Sequence, residues 1–189
     1  MRNTRLTRRS LLTAIPLASI GAQPDLAARR KETTVDMRGM NRIFIGWVDL
    51  KEDNWVLAGE DKDYWVSTIR MLNAQILGSC QRSLPGKTVV GAKDKGDENT
   101  AGYDLYVKFS DVLIDNGHHL IPSQAGRLYV SIHFIDPTTN AEIGAIPPGP
   151  YVGNAWRFVD KLRSALDEVS EKVKVELTRS PKPRTRTAR

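Results

Sequence analysis

Two stretches of the chain have apolar residues that recur with the period of an α-helix. The first begins after Asp63 and is followed by Pro85 and Gly86, which predict its end. The second follows a candidate cap at Asn154 and keeps the period over about five turns. Both patterns predict an amphipathic helix with one buried face. The apolar positions are Trp65, Ile69, Leu72, Ile76 and Cys80 in the first helix, and Trp156, Val159, Leu162, Leu166, Val169 and Val173 in the second.

Other apolar positions follow the patterns of β-strands. Ile43–Leu50 is a continuous run rich in β-branched and aromatic residues, which predicts a buried strand, and Lys87–Gly91 predicts a shorter one. Two later segments alternate apolar and polar residues with a period of two, which predicts half-buried strands. Their inward residues are Leu105, Val107, Phe109, Val130, Ile132 and Phe134, and their outward residues are Tyr106, Lys108, Ser110, Tyr129, Ser131 and His133.

The end of the sheet is marked by turn residues. A turn is predicted at Asp136–Ala141, where Asn140 can adopt a left-handed conformation. Glu142–Ile146 then predicts the return strand of a hairpin, and Pro147–Pro150 is expected to end the sheet. The element order is therefore β-α-β-β-β-β-α. We predict an α+β fold with a mostly antiparallel sheet and both helices on one of its faces, because every helix and half-buried strand has one apolar side to cover.

The charge is unevenly distributed along the 189 residues. The net charge is +6, but residues 1–30 and 178–189 each carry +5, while residues 31–177 carry −4. A nucleic-acid-binding domain needs positive charge on its folded surface, so this distribution argues against a nucleic-acid partner. We predict a flexible leader at 23–41, a single domain at 42–177 and a disordered basic tail beyond it. Without an apolar anchor, that tail would make at most a weak peripheral contact with an anionic membrane.

The first 22 residues have the organisation of an export signal. Basic residues precede a moderately apolar stretch too short to span a bilayer. At the junction of the basic and apolar parts, two arginines followed by an apolar pair resemble the twin-arginine export motif. The alternative is that these arginines belong to a general secretory signal. Cleavage is expected after Ala22 or Ala28, which predicts a periplasmic or secreted protein. The motif residues are Arg8, Arg9, Leu11 and Leu12.

The body of the chain, over residues 42–177, resembles a group of small exported bacterial envelope modules. The resemblance rests on the strand that begins at Gly102–Val107 and on the hairpin Val130–Glu142 followed by a long helix. The group includes the periplasmic domain of the curli secretion channel, the N-terminal domain of TolB and related accessory domains. Where that group has glycine in the turn, this chain has Asn140. The resemblance implies no catalytic residues to carry over.

Few residues offer site chemistry. His118, His119 and His133, with Asp115, are the candidate metal ligands, but solvated side chains are the favoured interpretation because adjacent residues in extended chain point in opposite directions. Cys80 lies on the apolar side of the first predicted helix and is expected to be a buried thiol. Since it is the one cysteine, disulfides and multi-cysteine metal sites are excluded.

The leading hypothesis is an exported, non-catalytic accessory module that binds an envelope protein or cell-wall component and needs no cofactor. The predicted binding face consists of outward strand residues, since aromatic side chains beside polar ones suit recognition. The alternative is a small periplasmic metal-binding protein or enzyme that uses the three histidines. The residues of the predicted face are Tyr106, Lys108, Tyr129, Ser131 and His133.

Overall fold

A computed structural model of the chain describes residues 35–50, 62–115, 127–153 and 158–180. The predicted export signal, most of the leader, the His118–His119 pair and the basic tail beyond Ser180 lie outside the described residues. The predicted α+β class and element order are confirmed. The elements are a 3-10 turn at Met37–Gly39, β1 (Arg42–Ile45), α1 (Lys62–Ser83), β2 (Thr88–Gly91), β3 (Leu105–Asp115), β4 (Arg127–Asp136), β5 (Ala141–Val152) and α2 (Phe158–Thr178).

The five strands form one mixed sheet in the order β2-β1-β3-β4-β5. Strand β1 runs parallel to both β2 and β3, whereas β3, β4 and β5 are successively antiparallel. The expectation of a mostly antiparallel sheet holds for β3, β4 and β5, which contain most of the paired residues, but the sheet is not purely antiparallel, because both pairings of β1 are parallel. The physical reason is that α1 carries the chain back across the sheet between β1 and β2, so that both strands run in the same direction.

Both helices pack on the same face of this sheet, as predicted. Buried residues of α1 and α2 and the inward residues of the strands form a single hydrophobic cluster. In α1, Ile69 is half-buried and the other four predicted apolar positions are buried. Asn154 and Trp156, expected at the start of α2, lie outside the described residues, and the helix is described from Phe158. Within the described ranges, neither helix is long and apolar enough to cross a lipid bilayer.

Strand β1 is shorter than predicted, because a side chain of α1 holds the backbone beyond it. The backbone N–H of Val48 donates to Asn73 Oδ1 at 2.7 Å, and Asn73 Nδ2 donates to the Val48 carbonyl at 3.1 Å. The Asn73 amide thus pairs with the backbone N–H and C=O of Val48, as a residue of a neighbouring strand would. Gly46 still donates to the Val107 carbonyl of β3, but the buried Val48 is bonded to the helix layer instead of the sheet.

Strand β5 is longer than predicted and includes the prolines that were expected to end the sheet. Pro147, Pro148 and Pro150 all lie within it. They are tolerated because β5 is an edge strand, where a residue without an N–H can face away from the ladder. The turn before β5 is confirmed: Asn140 has a φ of 54°, and Asp136 accepts hydrogen bonds within the turn.

Candidate functional site

The five residues of the predicted binding face all belong to the sheet face opposite the helices, which we call the open face. They alternate along β3 and β4 with residues of the hydrophobic cluster, and Lys108 is paired with His133 in the register. Lys108 is exposed, and Tyr129 and His133 are half-buried. In contrast, Tyr106 and Ser131 retain only 7% and 4% exposure. The predicted orientation is therefore correct for all five, but Tyr106 and Ser131 have little surface to offer a partner.

Tyr106 is buried because an aromatic group covers one end of the open face. The ring of Phe44 makes edge contacts with Tyr103 and Tyr106, at centroid distances of 5.3 and 5.9 Å. Gly46 permits this packing, since a Cβ there would stand 3.0 Å from the Tyr106 ring. Burial, together with the nearby carboxylate of Glu98, raises the pKa of Tyr106, so its phenol stays neutral. This end of the face belongs to the core of the protein.

The centre of the open face carries a hydrogen-bonded group that joins three strands. We call it the polar cluster; its members are Ser110, Asp111, Ser131, His133 and Glu142. Nδ1 of His133 lies 2.7 Å from Glu142 Oε2 on β5, and its Nε2 lies 2.7 Å from Ser110 Oγ on β3. The Asp111 carboxylate accepts from Ser131 at 2.7 Å and contacts Ser110 Oγ at 2.9 Å. Every member thus touches at least one other.

A β-bulge in β3 brings Asp111 into this cluster. The register with β4 is interrupted between Ser110 and Leu113, and Asp111 has a φ of 52°. Aspartate tolerates this left-handed conformation better than most residues, and the bulge turns its side chain toward the open face. Hydrogen bonds from Ser131 and then Ser110, with a smaller contribution from the charge of His133, lower the pKa of Asp111. Its carboxylate is therefore ionised at neutral pH.

The contacts of Ser110 determine the protonation of the cluster. A serine hydroxyl has one proton, and an ionised carboxylate only accepts, so the Ser110 proton points to Asp111. Nε2 of His133 must then donate to Ser110 Oγ, while Nδ1 donates to the Glu142 carboxylate. All contacts are satisfied together only if both ring nitrogens of His133 carry protons. With both carboxylates ionised, this hydrogen-bond pattern is complete when His133 is an imidazolium.

This protonation is unsuited to nucleophilic catalysis, although the order Glu142, His133, Ser110 is that of a hydrolase triad. In such a triad the histidine is neutral and removes the serine proton. Here that proton is directed to Asp111, and His133 has no lone pair with which to accept it. Moreover, the Asp111 carboxylate would repel the oxyanion that forms beside an attacked carbonyl. The arrangement instead suits a charged network that fixes the surface of the sheet.

The candidate metal ligands are not brought together in the described part of the chain. Both ring nitrogens of His133 are occupied by Glu142 and Ser110, and the described residues contain no group of three or more potential ligands. His118 and His119 are not among those residues, and neither is the side chain of Asp115. Cys80 is buried, as predicted, and its burial raises the thiol pKa to about 11, which keeps it protonated and unreactive.

Both edges of the sheet carry features that oppose the addition of another strand. On β2, Thr88 and Ala92 donate to the backbone preceding and ending β1, so the carbonyl of the alternate residue Val89 faces outward. Gln81 of α1 donates to that carbonyl at 3.0 Å. On β5, three prolines remove backbone donors. A partner is therefore more easily accommodated on the open face than at an edge.

Three members of the polar cluster, Ser110, Asp111 and Glu142, were not among the predicted site residues. Ser110 has the outward phase of the predicted strand, and the sequence contains a signal for Asp111. Inward residues of β3 have odd numbers up to Phe109 and even numbers at Val112 and Ile114. Such a change of phase is what an inserted bulge residue produces. Glu142 has no comparable signal, since its proximity to His133 depends on the register between β4 and β5.

Comparisons with known proteins do not place the chain in a family. Neither a family model nor a curated protein matches it. The PelC dodecamer from Paraburkholderia phytofirmans is 13% identical with a TM-score of 0.35, and the match covers 74% of this chain and 95% of that one. A homolog of the neuraminyllactose-binding hemagglutinin from Helicobacter pylori is 14% identical with a TM-score of 0.31, covering 78% and 86%. Likeness at this level identifies neither a family nor a function.

Proposed function

We propose that the protein is an exported envelope module that binds another envelope protein through its open face. The single observation that supports this proposal is the arrangement of the sheet. The helices cover one face, Gln81 and the β5 prolines protect the edges, and the aromatic group covers one end of the other face. Among the described parts of the sheet, the surface that remains accessible is the part of the open face around the polar cluster, between Lys108 and Leu113.

This accessible surface has the mixture of groups found in transient protein interfaces. Lys108 is exposed, the ring of Tyr129 is half-buried, and Leu113 is 54% exposed directly opposite Tyr129 in the register. An amphipathic aromatic ring beside an apolar and a basic side chain can exclude water and still direct hydrogen bonds. The polar cluster between them would fix the shape of this surface, so that little conformational entropy is lost on binding.

The proposed location rests on the N-terminal sequence. Replacing Arg8 and Arg9 with lysine keeps the basic charge but removes the paired arginines. We expect the mature protein to be lost from the periplasmic fraction. A mature protein that reaches the periplasm at the wild-type level would show that the general secretory route is used, and retention of the wild-type protein inside the cell would contradict export itself.

The proposed interface is tested by a pair of matched variants. Lys108→Glu with Leu113→Ser alters the open face, and Lys172→Glu with Val175→Ser makes the same chemical change on the exposed side of α2. In pull-downs from periplasmic extract, we expect the first variant to lose at least about tenfold of a captured protein, since two interface residues each contribute about 1 kcal/mol. The second should capture it normally. Equal capture by both variants would contradict the proposal.

A further inference from the structure

We propose that the polar cluster is a proton-dependent clamp, which joins the bulge of β3 to the edge strand β5 only while His133 carries both ring protons. This device belongs to the folded chain alone and needs no binding partner. It follows from the same four side-chain contacts that rule against a catalytic triad. The consequence is that the hydrogen bonds of the polar cluster, which hold the accessible part of the open face, are stabilised at acidic pH and weakened at alkaline pH.

The clamp has a defined direction of hydrogen bonding. His133 lies on β4, the strand between β3 and β5, and reaches Glu142 with one nitrogen and Ser110 with the other. Ser110 passes the link to Asp111 through its single proton. Ser131 of β4 donates to the same Asp111 oxygen. The left-handed backbone of Asp111 is thus held by a chain of donors that starts at His133, whose other ring nitrogen donates to Glu142 on the edge strand.

Loss of one proton reverses part of this chain. If Nδ1 keeps its proton for Glu142, the bare Nε2 becomes an acceptor and attracts the Ser110 proton. Ser110 Oγ then turns a lone pair toward the Asp111 carboxylate across a distance of 2.9 Å. That contact changes from attraction to repulsion. Asp111 keeps only Ser131 as a side-chain donor from the cluster, and the bulge is expected to rearrange.

Among the described residues, the charges that face His133 come from the two neighbouring strands. Glu142 of β5 contacts one ring nitrogen, Asp111 of β3 is linked to the other through Ser110, and Lys108 is the register partner of His133 on β3. The described parts of the helices pack on the other side of the sheet.

The clamp is tested on the mature protein by nitrogen and amide NMR between about pH 5 and about pH 8, the range in which histidine changes its charge. At the acidic end, both ring nitrogens of His133 should show protonated shifts. The backbone amide of Val112, which lies in the bulge, should move with the same pH profile as the ring. The proposal would be overturned if the Val112 amide shift did not change with the titration of the ring, or if the ring were singly protonated at about pH 5.

Two variants separate the clamp from a general effect of nearby charge. Ser110→Ala removes the link from His133 to the bulge, whereas Ser131→Ala removes a hydroxyl that does not touch His133. The Val112 amide should stop following the ring in the first variant and continue in the second. Equal behaviour in both would overturn the proposal. If Ser110→Ala is poorly folded, Asp111→Asn serves instead, because asparagine tolerates the left-handed backbone but can donate as well as accept, so it no longer fixes the direction of the Ser110 proton.

Discussion

Substitution of Asp111 tests whether the bulge in β3 is held by the polar cluster. In Asp111→Ala, the nearly buried hydroxyl of Ser131 loses its acceptor, which costs about 1–3 kcal/mol. Alanine in a left-handed conformation adds about 1–2 kcal/mol, which glycine avoids. Because Asp111 itself is exposed to water, we take the lower halves of these ranges and expect a total loss of about 2–3.5 kcal/mol. Asp111→Gly should lose about 1 kcal/mol less than the alanine variant.

The assay is equilibrium urea unfolding of the mature protein followed by circular dichroism. Asp97→Ala is a matched control, since Asp97 lies in an exposed loop with one long contact to the Lys93 amide, and it should change the unfolding free energy by less than about 0.5 kcal/mol. Equal losses in the alanine and glycine variants would show that the left-handed backbone stores no strain. A loss below about 0.5 kcal/mol in both would refute the role of the cluster.

Three further predictions concern other parts of the fold. Asn73→Ala leaves the buried N–H of Val48 unpaired, while the Val48 carbonyl keeps the Leu50 amide as its donor, so the urea unfolding free energy should fall by about 1–3 kcal/mol, and a loss under about 0.5 kcal/mol would contradict this. The lowered pKa values of Asp104 and Asp136 mean that their stabilisation is present above about pH 4 and lost as the pH falls, so the melting temperature should decline in acid; a constant value would be contrary. Cys80 should react with iodoacetamide only after unfolding, and rapid native labelling would disprove its burial.

The positions of the helices, and which strand residues point toward the core, could be predicted from the local sequence pattern alone. Leu162, Leu166 and Val169 recur at helical spacing and are fully buried or nearly so, and the alternation of β3 and β4 gives the correct side for each residue. These features depend on which residues are apolar within a few positions of one another, which the sequence states directly. They account for the correct fold class.

Features that depend on distant contacts could not be predicted in this way. Strand β1 pairs with β2 and β3, and the local alternation of apolar and polar residues does not indicate which strands pair with one another. Tyr106 has the outward phase of an exposed residue, yet the ring of Phe44, which also contacts Tyr103, packs against it. Glu142 reaches His133 through the register of a hairpin. In each case a non-local packing contact decides the outcome.

The central claim is that the accessible part of the open face binds an envelope protein, and site-specific photocrosslinking in living cells tests it most directly. A photoreactive amino acid at position 108 reports on the open face, and the same residue at position 172 reports on the exposed side of α2. We predict a discrete crosslinked protein at position 108 that disappears when excess purified wild-type domain competes, and none at position 172. A competed adduct at position 172 with none at position 108 would contradict the account.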